Sequence, residues 1–190
     1  MAERDRDSDP LRLQLLVLRC QTGDEQALAS LMGRFGGRTL AHLRALVGDD
    51  AEDVQQEVWL AVYRDLRTLH NPRAFRTWLF RTTRHRAIDF LRARKRDREL
   101  IDDVASDATS AATPAVDHFV ARLDESAVGT ALARLAPLQR EVLVLRYEQD
   151  LSYGEIALVM GCSIGTVRSR LHYAMRGLRE LLGEPGPRTR

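Results

Sequence analysis

The chain has 190 residues, 44% of them hydrophobic and 29% charged, enough for one ordinary domain or two small ones without covalent staples. Its 29 basic and 27 acidic residues leave a formal net charge of +2, so overall charge selects no partner. Cys20 and Cys162 lie far apart and outside any Cys-x-x-Cys pattern, which excludes a disulfide scaffold and a sequence-recognisable zinc site.

No apolar run reaches membrane-spanning length, and the polar start is unlike a signal peptide. A cytoplasmic, reduced protein with no membrane insertion is expected. Residues 1–10 are charged and aperiodic and read as a disordered lead. From Leu11 the apolar spacing is helical. Leu28, Leu31, Met32 and Phe35 fall on one helical face, and Thr22 with Glu25 fits a capping box ahead of them. Asp50 is placed to cap the next helix, which buries Val54, Val58, Ala61 and Val62. Asn71 and Pro72 read as an N-cap and first helical residue of a helix through Phe75, Trp78, Leu79, Ile88 and Leu91. No alternating strand pattern occurs, so the fold class is all-α.

Composition changes near position 97. Residues 73–98 hold ten basic side chains against Asp89 and Asp97. Residues 101–117 hold four acidic side chains and no Lys or Arg, and their small polar residues cannot bury enough surface to order themselves. The expected organisation is a domain over 11–98, a flexible acidic linker over 99–120, a second domain over 121–182 and a disordered tail over 183–190. In the second domain Leu135, Leu138, Val142 and Leu145 step by three and four. Ser152 with Glu155 fits a capping box, Gly161 a left-handed helix end and Ser163 the cap of a longer helix burying Val167, Leu171, Ala174, Leu178 and Leu181.

The last two helices read as a helix-turn-helix, whose second helix enters the DNA major groove. Ser163, Gly165, Thr166, Arg168, Ser169 and His172 then face outward. Arg168 suits a bidentate guanine contact, and Thr166 and Arg170 suit phosphate. An ordinary helical hairpin with a solvated arginine face satisfies the same pattern. In FRTWLFRTTRHRAIDFLRARKR, Phe75 and Trp78 share a face and read as core. Arg76, Arg81, Arg84, His85 and Arg92 are candidates for nucleic-acid contact. The stretch lacks the continuous apolar stripe of a membrane-surface helix. In GDDAEDVQQEVW, the acidic residues Asp49, Asp50, Glu52, Asp53 and Glu57 complement a helix dipole. Asp53, Gln56 and Glu57 also share one face fit to dock a basic partner. The five histidines show no metal-protease spacing, and neither a phosphate-binding glycine loop nor a nucleophile elbow occurs. No catalytic residue, cofactor or metal is expected. Met32, Met160 and Met175 read as core, and Cys162 as a small buried residue of the turn.

Three stretches, AEDVQQEVWLAVYRDL, FRTWLFRTTRHRAIDFLRARKR and LARLAPLQREVLVLRYEQDLSYGEIALVMGCSIGTVRSRLHYAMRGLREL, resemble, in that order, successive parts of bacterial sigma factors of the extracytoplasmic-function (ECF) group. The resemblance spans about 11–182. It implies sigma domain 2, a linker and a helix-turn-helix domain 4 in a protein that is not an enzyme. Asp49, Glu52, Asp53, Gln56 and Glu57 would dock on the clamp-helix coiled coil of core RNA polymerase. Leu69, His70 and Asn71, followed by Arg76, Arg81, Arg84, His85 and Arg92, would capture an unpaired base and the strand of the minus-ten element. Ser163, Gly165, Thr166, Arg168, Ser169, Arg170, His172 and Tyr173 would read the minus-thirty-five element of promoter DNA. The linker would thread through the polymerase toward the RNA exit path, and an anti-sigma factor is an expected partner. Three positions depart from the family pattern: His85 stands where asparagine is common, and Tyr173 and Met175 where many members carry arginines. The alternatives are a free-standing LuxR-type helix-turn-helix regulator and a protein-binding module that titrates an anti-sigma protein.

Overall fold

The structure is a computed structural model that describes residues 10–104 and 127–183, with backbone alone over 98–104. The expected lead before Pro10, the linker from 105 onward and the tail after Gly183 lie outside the described residues. No strand occurs among those that are described. The elements are α1 (Pro10–Gln21), α2 (Glu25–Val47), α3 (Ala51–Asp65), α4 (Phe75–Val104), α5 (Ala127–Arg134), α6 (Pro137–Leu143), α7 (Tyr153–Met160) and α8 (Ile164–Leu181).

Helices α1 to α4 enclose the first core. The buried stripe of α2 runs Ala27, Leu31, Phe35, Thr39 and Leu43, close to the four-residue step that keeps side chains on one face. Val54, Val58 and Val62 of α3 and Phe75 and Leu79 of α4 complete it. Phe35 meets Phe75 edge-on, with ring centroids 5.4 Å apart; truncating either to alanine costs about 3–5 kcal/mol. Gln55 ties α3 to α2, donating to the Gly36 carbonyl at 2.6 Å and to Thr39 Oγ1 at 2.8 Å.

Three local expectations are corrected. The cap of α2 is Asp24, which accepts from the Ala27 amide at 3.0 Å, because Gly23 at φ 93° turns the chain after Thr22. Thr22 instead donates to the Arg19 carbonyl at 2.8 Å, closing α1. Asp50 makes no cap bond. A 3₁₀ turn over Gly48–Asp50 runs directly into α3, and the Asp50 carboxylate pairs with Arg94 of α4. Met32 lies beside the α2 stripe and is 41% exposed. In addition, α4 continues to Val104, past the position where the basic composition ends.

The second core gathers Leu135, Val142, Leu145, Leu151, Ile156, Val167 and Leu171. A π turn over Val144–Glu148 follows α6. Arg140 is buried yet donates to the carbonyls of Leu132 at 3.1 Å, Ala133 at 2.7 Å and Leu135 at 3.1 Å. These carbonyls lie at the end of α5, where a helix runs short of backbone donors; that of Leu132 also accepts from the Leu135 amide at 3.1 Å. Phe80, from α4 of the first unit, is wholly buried in this second core. The two units therefore share a seam, with α4 against α7 and α2 against α6.

Candidate nucleic-acid and docking interfaces

The helix-turn-helix is built by three short-range devices. Ser152 accepts from the Glu155 amide at 3.3 Å, while Glu155 accepts from the Ser152 amide at 2.8 Å, a reciprocal cap that starts α7. Gly161 takes φ 63° and ψ 42°, a left-handed conformation that is costly for a side-chain-bearing residue. Ser163 then accepts from the Thr166 amide at 3.1 Å and starts α8. Val167, Leu171 and Ala174 bury one side of α8. Gly165, Arg168, Ser169 and His172 are exposed on the other, with Tyr173 beside them, spaced to lie in a groove.

Not every candidate on this helix is free. Thr166 Oγ1 lies 2.9 Å from Ser163 Oγ. Arg170 is half-buried, and its guanidinium lies 3.8 Å from Cys162 Sγ. Arg170 thus braces the turn, whereas Arg168 projects outward. Tyr173 packs edge-on to His172 at 5.5 Å. Met160 is buried and Met175 is packed against the second core. Arg176, overlooked in the sequence, is exposed one turn beyond His172 and pairs with Glu180 at 2.9 Å.

On α3, Glu52, Asp53, Gln56 and Glu57 are exposed, and Asp49 is exposed in the preceding turn. Glu52 faces Arg44 at 3.4 Å. The structure adds two apolar side chains that sequence reasoning missed: Leu60 at 53% and Tyr63 at 63% exposure. They follow Gln56 and Glu57 at helical spacing, so the exposed side of α3 is acidic toward its start and apolar toward its end, a mixture that a protein interface uses. The signal was present in the sequence, since Leu60 and Tyr63 fall outside the buried Val54–Val58–Val62 stripe.

The loop Leu69–His70–Asn71 is held from below. Gln21 of α1 donates to the Leu66 carbonyl at 2.9 Å and the Leu69 carbonyl at 2.7 Å. Asn71 accepts from the Arg73 amide at 3.0 Å. Gln21 is a positioning residue that no local motif reveals, because its partners lie 45 and 48 residues away. His70 and Asn71 remain exposed on the fixed loop.

Along α4, Arg81, His85 and Arg92 reach solvent. Arg92 is 3.8 Å from Asp89, a weak surface pair. Loss of hydration, then the Arg81 charge, lowers the pKa of His85; Asp89 opposes and Arg84 and Arg86 add to the lowering. A neutral imidazole can donate and accept at once. Arg76 and Arg84 are engaged elsewhere: Arg76 donates to the Gln149 carbonyl and Arg84 donates to Glu141 Oε1 at 2.9 Å. As sequence analysis anticipated, Phe75 is core, and Trp78 packs against it at 6.2 Å.

No group of three His, Cys, Asp or Glu side chains fit to hold a metal occurs among the described residues. None of their helices is long and apolar enough to cross a membrane.

Comparison with known proteins agrees with this two-part layout. The sigma-70 region 2 profile matches residues 31–97, and the sigma-70 region 4 profile matches residues 125–178. The chain is 33% identical to the RNA polymerase sigma-H factor of Pseudomonas aeruginosa over 89% of its own length and 93% of that protein. It is 31% identical to the ECF RNA polymerase sigma-E factor of Haemophilus influenzae, over 88% and 93%. Among solved structures it resembles CnrH in complex with the cytosolic domain of CnrY, with TM-score 0.63 and 27% identity over 92% of this chain and 98% of that one. It also resembles the sigma factor RpoE in complex with the anti-sigma factor NepR from Bartonella quintana, with TM-score 0.60 and 27% identity over 82% and 96%.

Proposed function

The chain belongs to the ECF group of RNA polymerase sigma factors, and from that premise we propose which of its surfaces does which part of the work. As a sigma factor it binds core RNA polymerase and directs promoter-specific initiation of transcription. The exposed face of α3, with Asp49, Glu52, Asp53, Gln56 and Glu57 followed by Leu60 and Tyr63, docks on a basic, partly apolar face of the polymerase. The fixed loop at Leu69, His70 and Asn71 and the basic side of α4, with Arg76, Arg81, Arg84, His85 and Arg92, receive the minus-ten strand. Ser163, Gly165, Thr166, Arg168, Ser169, His172 and Tyr173 face the minus-thirty-five element, and Arg170 acts by bracing the turn.

The observation that carries this reading is the presence, in one chain, of a groove-reading helix and a separate helical face that is acidic at its start and apolar at its end. A LuxR-type regulator needs the first and has no use for the second, so that alternative is not favoured. The family is not an enzyme class, and the reading gives the chain no reaction of its own. Its place of action is the cell interior, where polymerase and DNA are. A regulator of the anti-sigma kind is proposed on the likeness to the RpoE–NepR complex. The test is co-elution of the full chain with purified core polymerase, followed by binding of that assembly to a promoter library. Enrichment of paired elements at fixed spacing supports the reading; DNA binding by the chain that polymerase leaves unaltered overturns it.

A further inference from the structure

Where α6 meets the first unit, charges pair within the fold. Glu141 is fully buried, and its Oε1 accepts from Arg84 of α4 at 2.9 Å and lies 3.2 Å from Nε2 of the equally buried His42 of α2. Charge is arranged otherwise in a cleft of about 680 Å³ beside α1, α2 and the start of α4. Small-molecule sites span about 300–1,000 Å³, so the volume suits one. Arg34, Arg38, Arg73 and Arg76 line the cleft from the first unit, and Asp150 and Glu155 line it from the second. Leu11 and Pro72 add apolar surface beside them.

The partners of these arginines steady them without cancelling their charge. Arg38 holds its guanidinium carbon 5.9 Å from the centre of the Phe35 ring, a contact made through the face of the group rather than its N–H edge. Arg73 Nε lies 3.4 Å from the neutral Gln14 Oε1. Arg76 donates to the Gln149 carbonyl, yet its Nε is buried with no hydrogen-bond partner among the described residues. Buried donors are seldom left so. Glu155 is occupied by Ser152 and Thr77, while the Asp150 side chain is 90% exposed and 3.7 Å from Arg146. Four cations against two carboxylates leave the cleft net positive, with a carboxylate free to turn toward whatever enters.

We propose that this cleft is a binding site for a small oligophosphate that carries a divalent cation, the class of magnesium nucleoside triphosphates and inorganic tripolyphosphate. Guanidinium groups are matched to phosphate oxygens, which they bind through paired N–H donors. A short phosphate chain concentrates several negative charges within one cleft, where Arg38, Arg73 and Arg76 reach it together. Its metal ion presents a positive face to Asp150, and magnesium is commonly held by one or two carboxylates together with phosphates. A nucleic-acid strand fits less well, because its phosphates would pass Asp150 and Glu155 with the same sign of charge. Arg76 also belongs to the side of α4 assigned above to the minus-ten strand, so an occupied cleft competes with that strand for it.

The test is calorimetric titration of the full chain, at about 0.15 M ionic strength, with tripolyphosphate, ATP, GTP and a single-stranded oligonucleotide, each with and without magnesium. Saturable binding of magnesium tripolyphosphate is expected. Tighter binding of a nucleotide would name nucleotides as the source of the phosphates, and equal binding would name the phosphate chain alone; either supports the site. Arg38 and Arg73 are exposed and outside the core. Arg38→Ala and Arg73→Ala, with helicity preserved, are each expected to weaken binding about tenfold, the scale of one charge-assisted hydrogen bond. Should one variant fail to fold, the other decides. Arg12→Ala removes an exposed arginine that does not line the cleft and is expected to change nothing. Magnesium is expected to strengthen binding to the wild type and not to Asp150→Asn. The proposal is overturned by absence of tripolyphosphate binding, by losses as large in Arg12→Ala as in the cleft variants, or by wild-type binding indifferent to magnesium. It is overturned equally if the oligonucleotide alone binds in an Arg38- and Arg73-dependent way, which would make the wall a strand contact.

Discussion

Glu141 Oε1 accepts a hydrogen bond from Arg84 Nε at 2.9 Å across 57 residues of sequence, and that contact decides which arginine is best used to probe DNA melting. Removing Arg84 would strip a buried carboxylate of its principal partner, an effect that by itself destabilises by several kcal/mol. A defect in Arg84→Ala would therefore mix lost DNA contact with a loosened seam. Arg81 lies three residues earlier on α4 and is exposed, so it separates the two.

Arg81→Ala is expected to weaken opening of duplex promoters and to matter less where the minus-ten region is already unpaired, because melting has then been supplied. Transcription from matched duplex and pre-melted templates, at one ionic strength, checks this. An equal defect on both templates would assign Arg81 to binding rather than to melting.

On α3, Asp53→Arg with Glu57→Arg is expected to weaken polymerase binding by about 2–5 kcal/mol in total while leaving the fold intact. Both side chains are exposed, so no core contact is lost. Leu60→Ala should weaken the same complex with little change in its salt dependence, since it removes area and no charge. Binding isotherms at two salt concentrations distinguish the pair. Unchanged affinity in both variants would remove α3 from the interface.

Much of this was legible beforehand, and the limits have physical causes. The Ser152–Glu155 cap, the Gly161 turn and the Ser163 cap act over three or four residues, so type and spacing reveal them. Asp24 was missed as a cap because the positive φ of Gly23, which moves the helix start, is not encoded in apolar periodicity. Asp50 was misread because an acidic residue before a helix can cap it or pair elsewhere, and only the fold brings up Arg94. The acidic face of α3 was readable, but Leu60 and Tyr63 needed the buried stripe to be known. The seam left no local signal: His42 and Glu141 are 99 residues apart, and each looks like an ordinary surface residue of an amphipathic helix.

The carboxyl of Glu155 gives a pH-dependent prediction. Burial raises its pKa, but hydrogen bonds from the Ser152 side chain and amide, the Arg76 charge and the bond from Thr77 together hold it below its ordinary value. A carboxyl with a lowered pKa in the folded state contributes stability above its unfolded value of about 4.3, and that contribution is lost as pH falls through the folded value. Glu155→Gln is therefore expected to cost stability at neutral pH and to converge on the wild type in acid. Urea midpoints from pH 7 down to about pH 3 measure this; a constant gap between the two would show that the charge on Glu155 is not the stabilising feature.

Arg168 is the sharpest probe of base reading, since it is exposed on the first turns of α8. Arg168→Ala is expected to cost about 1–3 kcal/mol at one base-pair position and to relax preference there. Competition binding with every single-base change in the upstream element checks it. A uniform loss across all sequences would make Arg168 a phosphate contact.

The account as a whole stands on one protein reading two DNA elements while bound to polymerase, and promoter-dependent transcription tests that most directly. Core polymerase, with and without the full chain, is given a promoter selected from the library and versions with five base pairs, about half a helical turn, added between its two elements. The account predicts initiation only when the chain is present, and a collapse of output when the half-turn insertion moves the elements to opposite faces of the duplex. Initiation that is independent of the chain, or output unaffected by the insertion, would contradict it.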